Sequence, residues 1–331
     1  NKLKKLHDKI SKLRFLDPAC GCGNFLIIAY RELRLLELEI VRALLKGQQI
    51  TSVNDYFLVD VDRFYGIEYE EFPSQIAQVA MWLMDHQMNE QASLNFGEYY
   101  KRIPLKKSAT IVRGNALRTD WQSLIDPMPW EKGEIKYDFI LGNPPFIGAK
   151  WMSDEQRVDM NTIAGKLPSY GLLDYVTAWY VKSYNYLQEH KTCKVAFVST
   201  NSITQGEQVS ILWPNILKDS VSILFAYLSF IWTNEAKGNA KVHCVIIGLA
   251  NNATNKKIYY TDSVGAIHST AATNINPYLI DYPNVYIPNR NEPICAVPAI
   301  TTGNKPIDNG YFIFDDAEKN EFVRKEPNAE K

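Results

Sequence analysis

A glycine turn set between a short strand and a long helix constrains this chain more than any other feature. Phe15-Leu16 is apolar and ends at Asp17-Pro18; the small residues Ala19-Cys20-Gly21-Cys22-Gly23 follow, and a helical pattern runs from Asn24 to about Lys46. The strand-then-helix order recurs. Tyr65-Gly66-Ile67-Glu68 ends in an acid and leads into a helix with Ile76, Ala80, Leu83 and Met84 on one face. The run Ala109 to Val112 precedes Gly114-Asn115-Ala116-Leu117, and a helix from about Asp174 to His190 precedes a strand from Lys194 to Ser199. Between them, Tyr137 to Leu141 runs into Gly142-Asn143-Pro144-Pro145-Phe146, where two prolines forbid continuation of a buried strand. Strands alternating with helices predict an α/β fold, a doubly wound, Rossmann-like, mostly parallel sheet.

The flanks are read more coarsely. Leu3, Leu6, Ile10 and Leu13 have helical spacing ahead of the first strand, and two apolar segments, around Ser222 to Leu228 and Val242 to Leu249, lie beyond the last. From about residue 270 the texture turns to Pro, Asn and short aromatic runs. That change predicts two parts: residues 1–270 as one α/β domain, and 271–331 as a linker and the beginning of a second, truncated domain. A first residue that is Asn rather than Met, and Lys/Glu-rich ends, suggest a piece of a longer protein.

Composition narrows the partners. With 331 residues the chain buries a substantial core, and 46% hydrophobic with 22% charged is ordinary for a soluble domain. The formal net charge of -1 gives no general support for a nucleic-acid partner. Positive charge is local, at Lys2, Lys4, Lys5, Lys9, Lys12 and Arg14 and at Lys101, Arg102, Lys106 and Lys107, where a solvated helix face is the plainer explanation. The 19 Tyr and 7 Trp leave rings beyond core filling, and stacking on a base is one use for them. Cys20, Cys22, Cys193, Cys244 and Cys295 form no CxxC and no zinc-ligand spacing, so they read as reduced thiols of a cytoplasmic protein with no metal site. No stretch is apolar enough to span a bilayer, and no apolar run follows the charged N-terminus, so neither membrane nor export is indicated.

The strand-end motifs carry the chemistry. Glycines in the first turn let backbone approach a ligand at a helix N-terminus, although a tight turn without ligand is the bland alternative. The third glycine of a dinucleotide fingerprint is missing, and Asp17 suits a cation such as an amino-acid ammonium better than a phosphate. Glu68, at the second strand end, is placed to accept from two ribose hydroxyls, or else serves as a helix N-terminal carboxylate. Asn115 offers both a donor and an acceptor to an adenine edge, and reads equally as a turn asparagine. The sharpest motif is Asn143-Pro144-Pro145-Phe146. An exocyclic aromatic amine is a weak nucleophile because its lone pair is delocalised into the ring. Two acceptors on its hydrogens, the Asn143 side-chain oxygen and the Pro144 carbonyl, would draw it toward tetrahedral geometry. The prolines stiffen the loop, and Phe146 can stack on an extruded base. Positioning beside a sulfonium methyl would then supply most of the acceleration, without metal or covalent intermediate.

Taken together, DPACGCGNFL, GIE, GNAL, NPPF, LLDYVTAW, FVSTNSITQGEQV and FIWTNEAKGNAKVHCVIIG resemble the gamma-class amino-methyltransferases of restriction-modification systems, over about residues 14 to 250. More narrowly the chain is similar to MmeI-type single-chain enzymes, which fuse endonuclease, methyltransferase and target-recognition domains. The resemblance implies S-adenosylmethionine (SAM) as cofactor and the 6-amino group of a flipped-out adenine in double-stranded DNA as acceptor. The 4-amino group of cytosine is the near alternative; an RNA base or a protein glutamine is a second class, and a catalytically silent SAM-fold scaffold a third. By the same resemblance Asp17, Ala19, Gly21, Gly23, Asn24, Phe25, Glu68 and Asn115 would contact SAM, and Asp174 would lie near its methionine end. Asn143, Pro144, Pro145 and Phe146 would engage the base, with Phe230 opposite Phe146 and Trp232 a rival for that place. The chain departs from the pattern at Cys22, usually Ser, and at Asn115, frequently Asp. The segment that closes over the methionine moiety is absent or incomplete, the nuclease has no counterpart, and the recognition domain is represented only by its opening stretch. The nuclease and target-recognition domains are expected in the parent chain.

Overall fold

Alternation within each strand decides the architecture. Leu16 points into one buried cluster and Phe15 into another; Tyr65 and Ile67 follow Leu16, while Phe64 follows Phe15, and Ile140 separates in the same way from Phe139 and Leu141. Strands apolar on both faces need a covering layer on each side. This computed structural model, which describes residues 2–45, 56–96, 108–126, 133–232, 242–288, 290, 295–296 and 314–327, supplies those layers. The basic run Lys101 to Lys107 and the stretch 233–241 with Asn234 lie outside the described residues.

In chain order the elements are α1 (Lys2–Ser11), β1 (Phe15–Asp17), α2 (Asn24–Leu44), β2 (Phe64–Glu68), α3 (Glu71–Phe96), β3 (Thr110–Arg113), β4 (Phe139–Gly142), α4 (Asp154–Ala164), α5 (Thr177–Glu189), β5 (Lys194–Thr200), α6 (Gly206–Leu212), β6 (Val221–Trp232), β7 (Val242–Asn251), β8 (Lys256–Thr261), β9 (Ile267–Ala272) and α7 (Asp316–Lys325). The strands form one sheet in the order β3-β2-β1-β4-β5-β7-β6-β8-β9. The first five are parallel, β7 runs antiparallel to both β5 and β6, and β8 and β9 close the far edge as an antiparallel pair. The doubly wound α/β expectation therefore holds for the parallel half. The antiparallel half extends it, with β8 and β9 lying where the sequence suggested no element.

The order reverses between β1 and β4: β2 and β3 follow to one side, β5 to the other. Helices that cross in opposite directions there leave a crevice beyond the carboxyl ends of the two strands. Asp17, Glu68 and Gly142 are the last residues of β1, β2 and β4, so the sequence motifs converge on that crevice.

Two helices bury faces other than those their apolar residues suggest. In α3 the buried residues are Ser74, Ala77, Met81, Asp85, Met88, Asn89 and Ala92, while Leu83 is 45% exposed. Polar residues occupy that face because α2 answers them: Tyr30 donates to Asp85, and Arg34 donates to Asn89 Oδ1 at 2.9 Å and to the Val59 carbonyl at 3.0 Å. In α1 the expected Ile10 is buried, but His7 is buried beside it against Glu37 at 2.9 Å, while Leu3 and Leu6 are exposed. Buried charges persist only when paired in this way.

Residues 1–289 form one compact unit and 290–331 a second. Within the second, α7 opens on a capping box at Asp315 and Glu318, and Phe314 stacks on Phe322 at 5.0 Å.

Candidate cofactor and target-base site

The glycine turn leaves β1 through two residues in the left-handed region, Gly21 at φ 53° and Gly23 at φ 85°. A side chain on Gly23 would press on Ala77 of α3 at 3.1 Å, whereas Gly21 opens into free space. Gly23 thus seats the helix, and Gly21 leaves the backbone bare for a ligand. The Gly21 N–H donates to Glu68 Oε2 at 2.8 Å and the Glu70 N–H donates to Glu68 Oε1 at 3.0 Å, so the β2 carboxylate also fixes the turn.

A cavity of about 520 Å³ opens beside this turn, lined by Ala19, Gly21, Glu68, Asn115, Asn143 and Asp159 among others. A second, of about 650 Å³, is lined by Cys22, Asn24, Phe25, Ile28, Leu141 and Trp232, and it too reaches Ala19, Gly21 and Asn143. Asn143 stands at the junction. Its side-chain oxygen is buried and has no hydrogen-bond partner. A buried acceptor left unmade is costly, and such an atom facing a cavity is a place for a donor.

Asp17 is fully buried behind the turn. Oδ1 accepts the Ala19 N–H at 3.0 Å, while Oδ2 has no partner. Burial pushes its carboxyl from 3.8 up to about 7; the Ala19 N–H works against that rise, and the neighbouring Glu68 carboxylate adds to it. The space for this carboxylate exists because residue 142 is glycine: a Cβ there would lie 2.5 Å from Asp17 Oδ1. Gly142→Ala is accordingly expected to cost about 1–3 kcal/mol of stability through overpacking, and to weaken cofactor binding, as read by thermal melting and calorimetry. A variant as stable as the native protein would mean that Asp17 has room to move.

Other predicted residues serve the site indirectly. Asn115 takes the Leu117 N–H on Oδ1 at 2.9 Å and donates Nδ2 to Asp159 at 2.8 Å, so it is the turn asparagine and lines the cavity as well. Asp174 is outside the lining of both cavities. Its carboxylate accepts from the Ala149 N–H at 3.1 Å and from Ser202 Oγ at 2.7 Å, tying the chain beyond Phe146 to the segment after β5. From the same motif Tyr175 and Trp179 do reach the cavity, and Trp179 donates to the Pro18 carbonyl at 3.1 Å. Pro144 is buried and Pro145 lines the cavity, whereas Phe146 is half-buried against the core. Phe230 packs beside Trp232, ring centroids 6.2 Å apart, and it is Trp232 that lines the second cavity.

The family description "MmeI, DNA-methyltransferase domain" matches residues 1–260, and "MmeI, target recognition domain" matches residues 281–331. This chain belongs to the MmeI DNA-methyltransferase family. It is similar to "DNA methyltransferase A" of Bacillus subtilis (strain 168), 39% identical over 331 aligned positions, covering 98% of this chain and 36% of the relative. It is also similar to the type IIL restriction-modification enzyme MmeI, whose structure is described in complex with DNA: 50% identity, TM-score 0.89, 99% of this chain and 43% of that one. The chain thus spans well under half of either relative.

Within the MmeI-family domain, sequence reading missed α4. This helix is inserted between the Asn143 loop and α5 and brings Asp159 to the cavity, with Ser153, Glu155 and Gln156 around it. Its signal was present as a capping box, Ser153 at the N-cap and Gln156 three residues on. Lys182 of α5 was missed too: its ammonium donates to the carbonyls of Ala116, Leu117 and Thr119 at 2.8, 3.0 and 2.6 Å, holding the turn after β3. Burial lowers this lysine to about 8. Among the described residues no three His, Cys, Asp or Glu side chains are grouped to hold a metal ion, and no helix is long and apolar enough to cross a membrane.

Proposed function

We propose that this chain is the methyl-transferring part of a cytoplasmic restriction-modification enzyme. It would use SAM to methylate the 6-amino group of an adenine flipped out of double-stranded DNA. The observation that carries the reading is the unpartnered Asn143 side-chain oxygen, set where the two cavities meet. The residues present fit the cofactor. The spare oxygen of Asp17, behind the turn, is an acceptor for an ammonium, Glu68 lines the first cavity at the end of the next strand, and Gly21 between them leaves its backbone uncovered by a side chain. Ala19, Gly23, Asn24 and Phe25 build the turn around it, and Asp174 ties the chain beyond Phe146 to the segment after β5. Bound SAM supplies an electrophilic methyl group.

The chain's own work is on the amine. Asn143 Oδ1 and the Pro144 carbonyl accept its two hydrogens and pull the nitrogen lone pair out of conjugation, free to meet the methyl group. Pro144 and Pro145 fix φ and so hold the two acceptors without needing to be ordered at the moment of reaction. Phe146, with Phe230 and Trp232, supplies rings for the extruded base; Trp232 has the better support because it lines the cavity. The likeness to an MmeI structure bound to DNA, and the match of residues 281–331 to a target recognition domain, support a duplex partner. They also support further domains, a nuclease among them, in the parent protein. Residues 1–270 would form the catalytic domain and 271–331 the linker and start of the recognition domain.

The test uses the full-length parent with labelled SAM on DNA, RNA and protein. Label in DNA alone, recovered as N6-methyladenine after digestion to nucleosides, is the expected result. N4-methylcytosine would move the acceptor to the other amine, and label in RNA or protein alone would overturn the reading.

A further inference from the structure

The order of the strands lays out the first cavity as a line. Asn143 follows β4, Ala19 and Gly21 follow β1, Glu68 ends β2, and Asn115 with Ala116 lies beyond β3, at the end farthest from the amine site. If the methyl donor lies beside Asn143 and the ribose at Glu68, the cofactor's adenine falls at the β3 end. The first candidate to read it, Asn115, is occupied: its oxygen serves the Leu117 N–H and its amide donates to Asp159. Asp159 is different. It is 2% exposed, it lines the cavity, and three donors converge on it: Asn115 Nδ2 at 2.8 Å, Arg118 Nε at 2.6 Å and Tyr175 Oη at 3.0 Å. A carboxylate has about four acceptor positions, so one is left for a donor from the cavity.

We infer that Asp159 of α4, an element outside the sheet, accepts the 6-amino group of the cofactor's adenine, with Asn115, Arg118 and Tyr175 as positioning residues that act through it. The inference rests on the SAM reading above. The chemistry follows from the donor set: three donors already converge on this carboxylate, and a carboxylate meets a further ligand atom as an acceptor. An adenine edge offers an N–H at position 6; hypoxanthine offers an oxygen there, which would face the carboxylate with no hydrogen between. The turn that carries Asn115 is itself held by the Lys182 ammonium, and Arg118 meets Glu155 at 3.0 Å as well as Asp159, so α4 is tied to the turn after β3 by Asn115 and Arg118 together. The site therefore discriminates between cofactor bases through a residue that arrives 44 positions after the turn asparagine.

The experiment is calorimetry on the purified chain with two ligands, S-adenosylhomocysteine and its hypoxanthine counterpart S-inosylhomocysteine. The native protein is expected to prefer the adenosyl form by roughly 100-fold or more, because a polar mismatch at a buried acceptor is heavily penalised. Asp159→Asn, whose amide can donate to the hypoxanthine oxygen, should bring the two within about tenfold. Asn115→Ala should weaken both ligands while keeping most of the ratio. Each ratio is taken on one variant, so a general loosening of the fold cancels; Asp159→Ser, which admits water among the three donors, replaces Asp159→Asn if that variant fails to fold. An unchanged ratio in the Asp159 variants, or a ratio lost in Asn115→Ala instead, overturns the assignment while leaving SAM binding intact. Failure of the native protein to bind either ligand overturns the SAM reading and this inference together.

Discussion

Asn143→Ala lowers the rate of methyl transfer to DNA by roughly 10²–10³-fold, the usual cost of removing one preorganised polar contact to a reacting group, while SAM binding persists. The side-chain oxygen is buried and unpartnered, so its desolvation has already been met in the folded protein and its one acceptor function is free for substrate. Removing it takes away an interaction that strengthens as the amine turns pyramidal, and such losses appear in turnover rather than in ground-state affinity. Nothing else holds the amide in place through a hydrogen bond on that oxygen, so the alanine variant should melt within a degree or two of the native protein. Single-turnover transfer from labelled SAM in the full-length parent, beside calorimetry with SAM, separates the two effects. Native turnover in the variant would remove the loop from the mechanism.

Much of this arrangement is visible in the sequence because strand ends carry their own punctuation. Asp17-Pro18, Glu68, Gly114-Asn115 and Gly142-Asn143-Pro144-Pro145 each mark the place where an apolar run must stop, and in a parallel sheet those places share one edge. What was hidden depends on pairing across long sequence separations. The buried face of α3 contains Ser74, Asp85 and Asn89, which no apolar periodicity reveals, because their partners lie on α2. Strands β8 and β9 are polar enough to resemble loop: β9 is Ile-His-Ser-Thr-Ala-Ala, exposed along nearly its whole length and held by its ladder to β8. Asp159 sits in a helix of low amphipathic contrast, and only its three donors show that it is a buried acid rather than a solvated one. Asp174 was legible as part of a motif but not as a tie between loops, since Ala149 and Ser202 lie 25 and 28 residues away.

Asp17→Asn should produce two opposite effects of comparable size: a more stable apoprotein at pH 8 and a much weaker complex with SAM. The native carboxyl is fully buried with one oxygen unpartnered, and its pKa rises from 3.8 to about 7. A group whose folded-state pKa is raised stabilises the fold fully below its unfolded value and loses that contribution as pH climbs through the folded value. Between about pH 4 and pH 7 the native apoprotein therefore loses stability, on the order of 4 kcal/mol for a displacement of this size. Asparagine keeps the shape and the acceptor for the Ala19 N–H and carries no charge to bury, so the variant should melt several degrees higher at pH 8, with the difference shrinking as pH falls and closing only near pH 4. Cofactor binding reverses the balance. An ammonium beside Asp17 favours the ionised carboxylate, so below pH 7 the native protein should release close to one proton on binding SAM, with affinity rising as pH approaches 7. Calorimetry in buffers of different ionisation enthalpy counts that proton. In the asparagine variant the release should vanish and affinity at pH 8 should fall by about 100-fold, since hydrogen bonds to a charged partner are worth about 1.5–3 kcal/mol. An equally tight, equally pH-dependent complex in that variant would show that the ammonium sits elsewhere, and the orientation of SAM along the strand ends would have to be reversed.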